Sequence, residues 1–210
     1  SLGFGDAPAG AEPAKKSTAT ASFAGDKKDW RVKLSLPREW ESYPIFLYSL
    51  GITGGLVFPF TPTVMVSNSA SYNTLKPIHS NYSFYAYQNS QPESITISSP
   101  FSVQDKYDAE YWTGALHYLR SATKMAYGET SNAGAPPVIV RLNGYGNHVF
   151  PNVPVVVTTF SVDLPADVDY IYVEPISTAQ GTYVPTRSTI SVTVTPVYSR
   201  SSIEQFSFDK

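Results

Sequence analysis

Residues 105–128 read DKYDAEYWTGALHYLRSATKMAYG, the only long stretch of this chain with a helical rather than a strand-like period. Ala109, Trp112, Leu116, Leu119, Thr123 and Ala126 fall at spacings of three and four, which makes one apolar stripe. Asp105 is the expected N-cap, and Asp108 three residues on takes the place of the usual Glu of a capping box. Asp108 and Glu110 put negative charge in the first turns, Lys124 lies near the end, and Gly128 supplies the stop. At about 1.5 Å per residue the helix is roughly 34 Å long. Burying Trp112, Leu116 and Leu119 would contribute about 1.5–3 kcal/mol each. Tyr107, Tyr111, Tyr118 and Met125 form a second stripe beside the first. One sheet needs only one stripe, so these four are expected at a contact with another subunit. A lone helix in a chain of strands must pack on a sheet. The expected fold is therefore mainly β: a β-sandwich or small barrel with one flanking α-helix and two long β-hairpins.

Working outward, Trp30–Leu36 alternates. Trp30, Val32, Leu34 and Leu36 face one way, and Arg31, Lys33 and Ser35 the other, as in a half-buried strand. Arg38–Gly51 is mixed and aromatic, a loop with a short helical turn. Pro59 and Pro62 bar the residues around them from a central ladder. Thr63–Tyr72 starts apolar at Val64 and Val66, then turns small and polar on both faces. With a turn at Asn73–Pro77 and an aromatic return over 80–88, it is expected as a long hairpin whose distal half leaves the core. Unpaired edges on such a hairpin invite another chain, which points to assembly; Ser67, Asn68, Ser69, Ala70, Ser71 and Tyr72 lie on this distal half. Ser94–Ser98 and Val138–Leu142 are short strands. Asn143-Gly144 marks a turn with φ > 0. Val156, Thr158, Phe160, Val162 and Leu164 share one face of a longer strand, opposite Val155, Val157 and Thr159. Ser188–Tyr198 alternates cleanly, Ile190, Val192 and Val194 inward and Thr189, Ser191, Thr193 and Thr195 outward. It is expected to form a second long strand pair with 149–164. The domain spans 30–200. Residues 1–29 are an Ala-, Gly-, Ser- and Pro-rich segment, compositionally a tail and expected as an extended arm on a neighbouring subunit, and 201–210 are a polar C-terminal tail.

Composition excludes more than it selects. The 210 residues are 42% hydrophobic, with 17 Pro, 15 Tyr and no Cys, and the formal charge is -2 from 15 basic and 17 acidic residues. No basic run offers the positive face that phosphate binding requires. Without Cys there is no disulfide, thiolate metal site or Cys nucleophile. No apolar run approaches the roughly 18 residues of a membrane helix, so no membrane partner is expected, and the start of the chain has no secretory pattern. His79, His117 and His148 stand apart, with no zinc-ligand spacing. Asp163, Asp167, Asp169 and Glu174 lack the loop glycine and spacing of a calcium site. No nucleophile elbow, phosphate loop or dinucleotide fingerprint occurs, and a triad assembled in three dimensions leaves no trace in one sequence. No enzyme activity and no cofactor are expected. Asn81-Tyr82-Ser83 fits a glycosylation sequon by chance. The tyrosines leave one rival reading, a carbohydrate-binding β-sandwich.

An ordered run of blocks carries a resemblance. It comprises Tyr82–Ser90, Ala109–Trp112, His117–Arg120 with Thr123–Met125, Gly134–Pro137, Leu142–Gly146, Asn152–Val157, Asp167–Tyr170 and Val184–Ser188. Together they resemble the baseplate tail-tube proteins of contractile-tailed bacteriophages, the tube-initiating or tube-capping rings, over roughly Trp30 to Arg200. The resemblance implies a tail-tube fold and a homo-hexamer whose hairpins pair edge to edge around a channel, with Ser67–Tyr72 lining the lumen. It implies a tail tube protein on one side, a baseplate hub protein on the other, and DNA that passes without specific binding. It places the chain in the virion tail baseplate, assembled in the host cytoplasm.

Overall fold

The computed structural model describes residues 30–125, 134–146, 148–174 and 181–199, and of 91–93 the backbone alone. The expected N-terminal arm and C-terminal tail lie outside the described residues, as do Ala126 and Gly128 at the expected helix end. The fold is mainly β. Strands β1 (Lys33–Ser35), β2 (Gly55–Val57), β3 (Thr63–Leu75), β4 (Phe84–Ser102), β5 (Val140–Gly144), β6 (Phe150–Asp163) and β9 (Arg187–Pro196) make one seven-stranded sheet in the order β2-β1-β5-β6-β9-β4-β3. Every neighbouring pair is antiparallel. A small second sheet pairs β7 (Tyr170–Val173) with β8 (Thr182–Pro185), inserted between β6 and β9. The expected second strand pair therefore exists, with β7–β8 inserted between its strands.

The sheet curls. Phe58, just beyond β2 at one edge, stacks edge-on against Phe101 of β4, with centroids 6.3 Å apart. Helix α2 (Lys106–Ala122) and the short α1 (Pro44–Ser49) lie with the core. Inward rows on the long strands supply that core: Ile95, Ile97 and Phe101 from β4, Ile190, Val192 and Val194 from β9, Val155 and Val157 from β6. On β6 an irregularity between Val157 and Thr159 changes the faces. Val157 pairs with Val194, yet Phe160 pairs with Val192 and Val162 with Ile190, so all three share the core side. The alternation expected over Val156–Leu164 is broken by this bulge, because one extra residue reverses every side chain after it.

Asp105 caps α2 as expected, its Oδ1 accepting from Asp108 N–H at 2.8 Å. The reciprocal bond differs from a capping box: Asp108 Oδ2 accepts from Gln104 N–H at 3.1 Å, one residue earlier than the cap itself. The helix stops at Ala122, earlier than expected. Thr123 Oγ1 bonds back to the carbonyls of Leu119 and Arg120 at 3.2 and 3.1 Å, a local alternative to another helical turn. Leu116 is half-buried, while Gly114, Ala115, Tyr118 and Ala122 are buried. The buried side is thus wider than the expected stripe, because α1 packs beside α2. A Cβ on Gly114 would lie 2.0 Å from Ser49 Oγ, so glycine is what lets the two helices meet.

Glycine acts by close approach at Gly144 too. A Cβ there would sit 3.1 Å from Val32 Cγ2, and the positive φ expected at Asn143-Gly144 falls instead on Tyr145 (54°) and Gly146 (83°).

Candidate functional site

Strands β3 and β4 pair from Thr63↔Ser98 to Leu75↔Phe84. On its other side β4 pairs with β9 only over Ile95–Ser102. Beyond Ser67 and Ser94, therefore, the two strands form a two-stranded ribbon that pairs with nothing else among the described residues. At about 3.3 Å per residue it projects roughly 25–30 Å. The expected turn at Asn73–Pro77 is displaced, since Asn73–Leu75 belong to β3 and the connection spans 76–83. The segments expected at 80–88 and 94–98 are one 19-residue strand. Sequence accounts for the projection: from Ser67 to Ala70 no side chain is large enough to anchor the strand to a core.

The ribbon has two unlike faces. Ala70, Tyr72 and Thr74 pair with Ser90, Tyr87 and Tyr85. Tyr72 and Tyr87 meet edge-on at 5.7 Å, and Tyr87 Oη lies 2.7 Å from Ser90 Oγ. Ser71, Asn73 and Leu75 pair with Asn89, Ala86 and Phe84 on the opposite face, and Ser71 Oγ donates to Gln88 Oε1 at 3.2 Å. The two faces read from the sequence hold on the ribbon. Ser69 and Ser71 lie on one face, Ala70 and Tyr72 on the other, and Asn68 falls in the irregularity between Ser67 and Ser69. Strand alternation forbids all six from lining one wall.

The ribbon is continuous with a hydroxyl-bearing outer face of the sheet. Thr159, Thr193 and Thr96 follow one another across β6, β9 and β4, and Ser161, Ser191 and Ser98 do the same. Ser98 Oγ lies 2.8 Å from Ser191 Oγ, and Thr96 Oγ1 lies 3.3 Å from Thr193 Oγ1. The outward set Thr189, Ser191, Thr193 and Thr195 was legible in sequence. Its neighbours on β6 were not, because the bulge conceals them.

The second helical stripe comes apart as well. Tyr107 and Met125 are exposed, at 75% and 51%. Tyr118 is 0% exposed, stacks edge-on to Trp40 at 5.7 Å and donates to the Ser35 carbonyl at 2.8 Å. Burial holds its hydroxyl in the neutral form, its pKa raised far above the ordinary value. Tyr111 is half-buried. Its hydroxyl donates to Val57 O and accepts from Val57 N–H, both at 2.7 Å. Burial pushes its pKa up to about 12 against the opposing pull of that bond. Tyr111 and Tyr118 are thus committed within their own subunit, which removes them from the expected subunit contact. The reason lies within the chain: Trp40 packs on Tyr118, and Val57 engages the Tyr111 hydroxyl.

Tyr111 also answers what happens at the other end of the sheet. Val57 ends the edge strand β2, and the tyrosine hydroxyl satisfies both of its backbone groups. No local pattern announces a bond between residues 54 positions apart.

The remaining candidates stay dispersed. His117 is exposed on α2, and partial burial with the nearby Arg120 lowers its pKa. His79 sits at the ribbon turn with φ of 62°, and the Asn81 sequon occupies the same exposed turn. Among the described residues no three His, Asp or Glu side chains gather where they could hold a metal ion, and no helix is long and apolar enough to cross a membrane. A cleft of about 240 Å³ lies between Trp30, Arg31 and residues 58–62, without a convergent set of titratable groups. No protein-family model matches the chain, and no curated protein matches its sequence.

Proposed function

We propose that this chain is a structural subunit that closes into a ring through the edges of its β3–β4 ribbon. On the resemblance of its sequence blocks, the ring is the hexameric tube initiator of a contractile phage tail baseplate, between hub protein and tail tube protein. One observation carries the reading: a long antiparallel ribbon leaves the sheet with both flanks open among the described residues. An open ladder is a template for pairing, and a closed ring removes it. Surface chemistry supports the same reading. Residues 67–75 carry no charge, and residues 84–94 carry only Glu93. A wall of hydroxyls and amides without cations gives phosphates nothing to hold, so DNA passes without being retained. The role is architectural and needs no catalytic group.

The test is seeding. Purified chain, hub protein and tail tube protein should give tubes visible by negative-stain microscopy, and omission of the chain should abolish them. Adjacent residues of a strand aim their N–H groups at opposite edges. Of Ala70→Pro and Ser71→Pro, one therefore strikes the β3–β4 ladder and the other the outer edge. At least one should block seeding while the core stays folded. Normal tubes from both variants, or a chain that never seeds tubes and binds glycans as a stable monomer, would overturn the reading.

A further inference from the structure

We infer that the outward face of the β7–β8 sheet is a docking site for arginine-bearing segments of a protein partner. Strand alternation divides this small sheet sharply. Val173 and Val184 face the core, whereas Tyr170, Tyr172 and Tyr183 point away from it, 43%, 55% and 67% exposed. Tyr172 and Tyr183 are direct cross-strand partners, and their rings meet edge-on with centroids 5.3 Å apart. The arrangement is held in place. Tyr172 donates to Glu174 Oε1 at 3.3 Å, and its ring lies over Gly181, where a Cβ would be 2.0 Å from the hydroxyl. The glycine leaves the ring room to lie there, so the two rings meet with Glu174 beside them.

Charge selects the occupant. Residues 163–186 include Asp163, Asp167, Asp169 and Glu174 and no Lys, Arg or His; the next cation in sequence is Arg187, at the start of β9. The Glu174 carboxylate raises the pKa of the Tyr172 hydroxyl beside it, which places its negative charge at the face. An exposed π-surface with a carboxylate beside it, in a segment that carries no cation of its own, suits a planar guanidinium, which stacks on the ring and donates to the carboxylate. A neutral sugar would stack on the same rings and donate its hydroxyls to the carboxylate, but would gain none of the charge attraction that a guanidinium gains. The site is separate from the ribbon, and this inference does not rest on the ring reading.

The experiment titrates full-length chain with a blocked (Gly-Arg)3 peptide and follows tyrosine resonances by NMR. Controls are the matching citrulline peptide, which keeps the planar group without the charge, and a neutral N-acetylglucosamine oligosaccharide. The arginine peptide should shift Tyr172 and Tyr183, weaken with added salt, and outbind the citrulline peptide. Tyr183→Ala should weaken binding by about two- to fivefold, the range for an exposed cation–π contact. Glu174→Gln should weaken it similarly, whereas Tyr172→Phe, which keeps the ring, should retain it. These side chains are exposed, so the variants should fold. Equal binding of the citrulline peptide, binding of the sugar in place of the arginine peptide, or no shift with any probe would each overturn the inference.

Discussion

One sheet has two edges, and they are treated in opposite ways. The β2 edge is three residues long, and the Tyr111 hydroxyl bonds both backbone groups of its last residue. The β3 edge is thirteen residues long and ends the strand order with no partner beyond it among the described residues. Shortness and a covering side chain are standard ways to blunt an edge, and a long bare one invites another chain. The contrast teaches where in this molecule assembly is permitted. The chain closes one end of its sheet with its own helix and leaves the other open among the described residues. Between them Phe58 packs on Phe101 and holds the curl that brings the two ends near each other.

The largest effect should come from breaking that curl. Phe58 is 1% exposed, and Phe58→Ala should cost about 3–5 kcal/mol, measured as the drop in unfolding free energy in urea. It should loosen both edges together; loss of assembly with unchanged stability would show that Phe58 does not hold the curl. Next, Tyr111→Phe should strip the β2 edge of its partner at a cost of about 1–3 kcal/mol. This variant also has a pH signature. The folded pKa of Tyr111 is raised from 10.0 to about 12, so its neutral form is favoured by folding. That stability is fully present below the unfolded pKa and is lost as pH rises from 10.0 through about 12, by about 2–3 kcal/mol in all. The urea midpoint should therefore fall less steeply with alkaline pH in Tyr111→Phe than in the parent; parallel slopes would contradict the bond. Asp105→Ala provides a sharper control, because it weakens the same helix at its cap. A loss of about 1 kcal/mol is expected, with the alkaline slope unchanged. The smallest effect on stability belongs to the open edge. Of Ser71→Pro and Ala70→Pro, the one that strikes the outer edge should change unfolding free energy by within about 0.5 kcal/mol, since the ribbon carries no core, although seeding is lost. A large destabilisation by both would mean that the ribbon is part of the core's cooperative unit.

Period and punctuation were legible from sequence. The alternation of β9, the capping of α2 at Asp105, the edge position forced by Pro59 and Pro62, and the projecting hairpin follow from local side-chain spacing and small polar residues. The β6 faces were not legible, because a bulge is one extra residue opposite a partner that the chain itself does not name. Tyr111 and Tyr118 were misplaced for a related reason. Their spacing marks a second apolar stripe, but spacing cannot say whether another subunit or the chain's own Trp40 and Val57 engage it. Ser67–Tyr72 lie on the projecting ribbon, on the two alternating faces that their spacing gives.

The amino-acid sequence by itself determined the class of fold, the one long helix and the strand that could not stay in a core. All three depend on which residues sit within a few positions of one another. Only the tertiary structure decided which edge is closed, which face of the ribbon carries tyrosine, and that β7–β8 presents an exposed aromatic pair beside a carboxylate. Those outcomes depend on contacts between residues tens of positions apart, where strand pairing and packing, not local preference, set the geometry.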